Sequence, residues 1–392
     1  MLNERALALG ESPSCIRELF HYGKKIKEQC GESAICDFSL GNPATPPPKA
    51  VLDAFAALAT DDHPTVVHGY TVASGDPEVR AKIAEELGAR YQVTLGKEHF
   101  FLTAGACPAL TAVFGALSIS PKSQFVAIAP YFPEYKVLVE GAGASLVIAD
   151  ADYAHFQINF DALSVVITKD TQGVIINSPN NPSGAVYTVE TLTRLGGLLR
   201  EKSEEFGHPI YLISDEPYRE LVYDGKVVPF APAIYPHTIV CYSYSKSLSL
   251  PGDRIGYVLV PPTTPDYEKI LSAVAGAARM NGHVCAPALL QRVVGACAGA
   301  CSALDGYDHN RKRLYDALTA MGYRCVYPDG AFYLMVEAPD GDGKSFSDRA
   351  KAEGVLVVPC ADFGCPAYVR IAYCVEAEVV ERALPIFERL LG

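Results

Sequence analysis

A chain of 392 residues, 49% hydrophobic and 20% charged, is long enough to bury a substantial core, and at ~100–200 residues per domain it predicts two or three domains. Its 33 Lys and Arg against 45 Asp and Glu leave a formal charge of −12, with no basic block, so nucleic acid is not an expected partner. Any anionic cofactor or substrate must be met by local cations or helix N-termini, because the overall field repels it.

No stretch approaches the ~20 apolar residues of a membrane helix; Val284–Ala303 is broken by Gln291, Arg292 and glycines. No membrane partner is expected. The first residues, MLNERALALGESPSC, lack the basic start and apolar core of a signal peptide, so a cytoplasmic location is expected. The 12 cysteines include no C-x-x-C; the closest pairs are Cys297/Cys301 and Cys360/Cys365, which reads as buried thiols rather than a metal site.

In chain order, the segment up to Lys49, with its exit Pro46-Pro47-Pro48, precedes the first sheet and is expected to pack with the C-terminal part. From about Val51 to Cys285, helical patterns alternate with apolar runs at Gln124–Ala129, Ser145–Ala149, Gly173–Asn177, Pro209–Ser214, Thr238–Tyr242 and Ile255–Val260. This rhythm predicts a doubly wound, mainly parallel α/β sheet, and the lack of polar alternation predicts central strands covered on both faces. After Cys285 come a long helical stretch to about Met321, short strands around Ala331–Val336 and Val355–Val358, and a closing helix near Glu376–Leu391. The expected division is a large α/β domain over 50–285 and a smaller α+β domain built from 1–49 plus 286–392.

Four segments carry candidate chemistry. In Ser243-Tyr-Ser-Lys246-Ser, continuing to Arg254-Ile-Gly-Tyr257, one lysine follows an apolar strand and so sits at the C-terminal rim of the sheet, where doubly wound folds bind ligands. Partial burial there lowers a lysine pKa and releases the nucleophilic amine that Schiff-base chemistry needs. In Ile213-Ser-Asp215-Glu-Pro-Tyr218 a carboxylate ends another strand; it either caps the next helix or, if buried, must find a cation. Asn177-Ser-Pro-Asn-Asn181-Pro-Ser-Gly184 is a turn whose Asn181 can donate to a phenolate oxygen. Leu102-Thr-Ala-Gly105-Ala106-Cys107 opens a helix with small residues, so its backbone N–H groups could cradle a phosphate.

Taken together and in order, these segments resemble the fold-type I pyridoxal-5′-phosphate (PLP) enzymes, specifically the class I/II, aspartate aminotransferase-like branch, over roughly Ser39–Ala372. The resemblance implies that Lys246 forms the Schiff base, Asp215 partners the pyridine nitrogen, and Asn181 and Tyr218 donate to the ring hydroxyl. Ser243, Arg254, Gly105 and the amides of Ala106 and Cys107 match the phosphate cup, and Phe132, in Pro-Tyr-Phe-Pro-Glu-Tyr, matches the ring stacked on the cofactor. His68-Gly-Tyr70 resembles the tyrosine motif that reaches into the neighbouring subunit's phosphate site, implying a homodimer. Arg370, in Tyr-Val-Arg-Ile-Ala, resembles the clamp on the substrate α-carboxylate, which suits a planar two-bond guanidinium, and Gly41 and Asn181 fall beside the same carboxylate.

Competing motifs fail. Gly341-Asp-Gly-Lys-Ser345 lacks the glycine that a P-loop needs at Ala338, Gly141-Ala-Gly143 lacks a dinucleotide fingerprint, and the nine histidines contain no H-E-x-x-H. Neither NAD nor a metal is expected. The implied reaction moves an amino group from an L-amino acid to a 2-oxo acid, with a C–S β-lyase or synthase on the same scaffold as the alternative, because the cofactor carries the chemistry and the pocket selects the bond broken. A PLP-binding regulator would require a DNA-binding domain, for which the segment before Ser39 is too short. The aspartate-specific prokaryotic branch carries a lysine where this chain has Cys107; that departure points to neutral donors such as alanine or an aromatic amino acid, unless an arginine elsewhere supplies the second cation.

Overall fold

A computed structural model of the chain describes residues 2–11 and 14–391. Its centre is a sheet of seven strands: β1 Phe100–Thr103, β2 Gln124–Ile128, β3 Ser145–Ala149, β4 Thr171–Asn177, β5 Tyr211–Asp215, β6 Thr238–Ser243 and β7 Gly256–Leu259, in the order β1-β7-β6-β5-β4-β2-β3. All neighbours are parallel except β7, which runs antiparallel to both β1 and β6.

Alternate strand residues face opposite layers, as the pleat requires. Phe125, Ala127, Ile175, Ile213, Ile239 and Val258 pack on the helices Ala106–Leu117 and Tyr267–Met280. Val126, Ile128, Val174, Ile176 and Leu212 pack on the helix Val189–Phe206, and Val240, Tyr242, Tyr257 and Leu259 on the helices Pro77–Tyr91 and Ala288–Ala296. Both faces are covered, which explains why the strands read as unbroken apolar runs.

Two expectations are corrected in detail, and one strand is added. Ser145–Ala149 is not a central strand but the edge strand β3, with Ser145 exposed and the next three residues only partly covered. Phe100–Thr103 is a strand that the small-residue reading of its C-terminal neighbours obscured. The long helix expected after Cys285 is two helices, Ala288–Ala296 and Asp305–Met321, separated by residues 297–304, where Gly299 adopts a left-handed φ of 81°.

A second sheet contains β8 Tyr333–Glu337, β9 Val358–Pro359 and β10 Tyr368–Ala372, in the antiparallel order β9-β10-β8. The helices Asp305–Met321 and Ala377–Leu391 bury their apolar faces against it. Cys36–Asp37 pairs in parallel with Val355–Leu356, so the N-terminal segment does pack with the C-terminal part. The apolar run Val355–Val358 therefore splits at Val357 and serves two different sheets.

The topology places the C-terminal ends of β1, β2, β4, β5 and β6 on one rim, so Gly105, Phe132, Asn181, Asp215 and Lys246 all follow from the same edge. Among the described residues no helix is long and apolar enough to cross a membrane.

Candidate active site

At this rim, between the two sheets, lies a cavity of about 480 Å³. Ala106, Cys107, Phe132, Asn181, Asp215 and Tyr218 line it from the large sheet and its connections. Ser243, Lys246 and Arg254 do so from the segment after β6, and Gly41 and Arg370 from the smaller part. Eleven of the residues singled out in the sequence thus meet in one place. Gly105 immediately precedes the lining residues Ala106 and Cys107, whereas Tyr70 is not in the lining and is 89% exposed.

Asp215 ends β5 in register with Asn177, which ends β4. The Asn177 side chain ties the two connections together: its Nδ2 donates to the Asp215 carbonyl at 2.8 Å and its Oδ1 accepts the Asn181 N–H at 2.7 Å. The Asp215 carboxylate is buried; Oδ2 accepts from the Tyr135 hydroxyl at 2.6 Å, and Oδ1 has no partner among the described residues. Burial raises its pKa from 3.8 to about 7, opposed by the Tyr135 hydrogen bond and assisted by the Glu216 charge. An unpaired acceptor so deep in a protein calls for a cationic donor in the cavity.

Lys246 lies in the short helix Tyr244–Ser247, which Ser243 caps by accepting from the Ser245 N–H at 3.2 Å. Its amine donates to the Gly41 carbonyl at 2.6 Å. Desolvation lowers its pKa to about 8, with the Arg254 and Arg370 charges acting in the same direction and the Cys374 thiol against it. A larger share of neutral amine is therefore present near neutral pH than for a surface lysine.

The anion-binding end is built at the start of the helix Ala106–Leu117. Gly105 holds a left-handed φ of 93°, and a Cβ on it would collide with the Arg254 guanidinium, so glycine is required both by conformation and by space. Arg254 is itself left-handed at φ 63°, held there by bonds from Nη1 to the Pro251 carbonyl at 2.8 Å and the Ser245 hydroxyl at 3.1 Å. Ser243 and Ser245 share a hydrogen bond of 2.8 Å. Helix amides, two hydroxyls and a guanidinium thus converge.

Arg370, in the middle of β10, is buried: Nη1 donates to Asn181 Oδ1 at 2.9 Å, Nη2 donates to the Ser39 carbonyl at 2.6 Å, and Nε has no partner among the described residues. Because Arg370 takes the Asn181 oxygen, the Asn181 amide group is the end left for the cavity. Gly41 lies against Tyr333, whose hydroxyl a Cβ at that position would strike.

Sequence reasoning missed three supporting residues. Tyr135 sits at the end of the quoted Pro-Tyr-Phe-Pro-Glu-Tyr segment, three residues after Phe132, but nothing local indicates that it reaches Asp215. Tyr333 shares a 2.8 Å hydrogen bond with Tyr218 and lies under the Arg370 guanidinium, 4.6 Å from ring centroid to Cζ; its partners are 115 and 37 positions away. Ser245 was legible as one of several hydroxyls beside the lysine, without a sign of which faces Arg254. Among the described residues no group of three or more His, Cys, Asp or Glu is placed to hold a metal.

The sequence matches the family model described as aminotransferase class I and II over residues 33–387. The chain belongs to the class I and II aminotransferases. It is 30% identical to the aspartate/prephenate aminotransferase of Thermus thermophilus over 332 residues, covering 82% of this chain and 83% of that one. It is 28% identical to the aspartate aminotransferase of Bacillus subtilis, covering 100% and 98%. Among solved structures, an amino transferase from Eubacterium rectale superposes with a TM-score of 0.97 at 50% identity, covering 100% of this chain and 98% of that one. An aspartate aminotransferase from Thermus thermophilus with maleate gives 0.88 at 27% identity over the whole of both chains. The seven-stranded, mainly parallel sheet is the fold type I architecture of these aminotransferases, whose family uses PLP, and the relatives favour amino transfer over the lyase or synthase alternative.

The unpaired Asp215 oxygen has a measurable consequence in cofactor-free protein. Its folded pKa of about 7 lies above the unfolded 3.8, so the stability this group contributes is complete below about pH 4 and lost as pH rises through about 7. Melting temperatures of cofactor-free wild type should therefore fall relative to Asp215→Asn between pH 4 and 8. Parallel profiles would show that the carboxylate is already paired.

Proposed function

We propose that this aminotransferase transfers an amino group from an L-amino acid to a 2-oxo acid, using PLP bound in the cavity and joined to Lys246. The observation that carries the reading is the pair formed by a desolvated Lys246 amine and a buried Asp215 oxygen without a partner, in one cavity whose far end is an anion cradle. A planar ring with a basic nitrogen at one edge, an aldehyde at another and a phosphate at a third matches that donor set. When bound, PLP supplies the electron-withdrawing ring that lets the substrate α-carbon release its proton.

The chain's own residues divide the remaining work. Asp215 Oδ1 accepts from the ring nitrogen and keeps it protonated, with Tyr135 fixing the carboxylate from the other side. Asn181 Nδ2 and Tyr218 donate to the ring hydroxyl; Phe132 covers a ring face. Ser243, Arg254 and the amides of Ala106 and Cys107 hold the phosphate, and Ser245 orients Arg254. Arg370 binds the substrate α-carboxylate beside Gly41, with its plane set by Asn181, the Ser39 carbonyl and the Tyr333 ring. Lys246 Nζ, freed from the Gly41 carbonyl, then moves the proton from the α-carbon as general base.

We infer a homodimer in which Tyr70 completes the neighbouring phosphate site. Tyr70 is supported in this role by its neighbourhood: Val66, Val72, Met280 and Val284 are all exposed, at 59 to 80%, and a 3.1 Å contact between His283 Nε2 and the Ala73 carbonyl ties the two exposed segments together. An apolar surface of this kind is what a second copy of the chain would cover. A cytoplasmic setting accords with twelve free cysteines.

Lys246→Ala should abolish turnover while PLP still binds noncovalently, because the phosphate cradle does not involve the amine. Near-normal activity in that variant would remove Lys246 from the mechanism. Mixing Lys246→Ala subunits with inactive Tyr70→Ala subunits should restore part of the activity by assembling one intact site per heterodimer. No recovery after demonstrated subunit exchange would refute shared sites. Arg370→Lys keeps the charge but loses the two-bond plane; kcat/KM should drop by ~1.5–3 kcal/mol, roughly 10–200-fold, for every amino donor alike. An unchanged rate would place the α-carboxylate elsewhere.

A further inference from the structure

Four cations line the active cavity: Arg17, Lys246, Arg254 and Arg370. Three are engaged by groups that fit the roles above, through the Gly41 carbonyl, the Ser245 hydroxyl with the Pro251 carbonyl, and Asn181 with the Ser39 carbonyl. Arg17 alone is unassigned. It belongs to the first turn of the helix Cys15–Cys30, is solvent-exposed, and forms no ion pair among the described residues.

The helix position does not by itself favour a cation. The first turn of a helix presents unsatisfied N–H groups and a partial positive charge, which disfavour arginine and favour acids. The cavity's own acids do not neutralise it either. Asp215 serves the ring end, and Glu134 opens the helix Glu134–Gly141, where its charge acts on the Cys107 thiol of the cradle. Cys107 is itself buried, with its thiol pushed up to about 11, so it contributes no charge to the wall near neutral pH. The cavity lining also includes Ile16, Leu40 and Leu138, surfaces suited to methylene groups.

We infer that Arg17 is the specificity-determining residue for the far end of the substrate, binding the side-chain carboxylate of a dicarboxylic amino donor and of the matching 2-oxo diacid. This rests on the amino-transfer reading of the cavity. The second carboxylate is thus met by the N-terminal helix rather than from the Cys107 position. A guanidinium gives such a carboxylate two parallel hydrogen bonds, while alanine offers it nothing.

The test is the donor half-reaction of PLP-loaded enzyme with L-aspartate, L-glutamate and L-alanine, together with calorimetric binding of succinate and butyrate. Arg17→Met should lower kcat/KM for the preferred diacid donor by roughly 10–100-fold and weaken succinate by a similar factor, leaving alanine and butyrate within about threefold. Arg17→Lys should recover part of the loss. An unchanged ratio of diacid to alanine in Arg17→Met overturns the assignment. An equal loss for all three donors also overturns it, because Arg17 would then support the segment and not the side-chain carboxylate. In either case amino transfer itself stands; absence of turnover with every donor in wild type would instead strike the function on which the assignment rests.

Discussion

A buried carboxylate with one oxygen left unpaired is the constraint around which this molecule is arranged. Burying Asp215 is costly unless a cation or donor meets it, and the protein supplies only part of that need, through the Tyr135 hydroxyl. The surroundings hold the group rigidly. Asn177 bonds the Asp215 carbonyl, and the next residue, Glu216, accepts from Ser214 at 2.7 Å and from Arg219 Nε at 2.6 Å, while Arg219 Nη1 donates to Tyr257 at 2.8 Å. That fully enclosed ion pair closes the turn after β5 and links it to β7. The free oxygen therefore cannot turn away to find water; its partner has to come to it.

The same logic joins the two parts of the molecule. Arg370 is carried by the small sheet, yet its guanidinium bonds Asn181 from the large one and Ser39 from the segment that leads into it. Ser39, Leu40 and Gly41 present three successive carbonyls to the site, toward Arg370, the Cys374 thiol and Lys246. Two of these bonds involve groups that a substrate and a cofactor would claim. The segment is thus held in place by two of the cavity's own cations, Arg370 and Lys246.

Charge is organised locally against the global balance. A chain of −12 gathers Lys246, Arg254, Arg370 and Arg17 around one cavity, where low dielectric and short distance outweigh a diffuse surface charge that salt screens. Burial lowers the Lys246 pKa and the neighbouring Arg254 and Arg370 charges add to it, so the same crowding of cations that favours anions also prepares the amine.

The sequence by itself determined the α/β class, the order of the sheet and helix units, and the residues that follow strand ends, since these depend on period, on turn chemistry and on which residue types stand at the C-terminal rim. Lys246, Asp215, Asn181 and Arg254 were legible because each lies within a few residues of an apolar strand, and their combination resembles one family. Tertiary structure alone decided that Ser145–Ala149 is an edge strand and that β7 runs antiparallel, because strand order and direction are set by long-range pairing that period does not encode. It also decided the partners of the site. Tyr135 reaches Asp215 across 80 positions, Tyr333 reaches Tyr218 across 115, and Arg370 reaches Ser39 across 331. Arg17 had no motif to mark it; only the packing of the N-terminal helix beside the rim brings it into the cavity lining. Such contacts follow from how whole layers pack, and no window of sequence contains both of their ends.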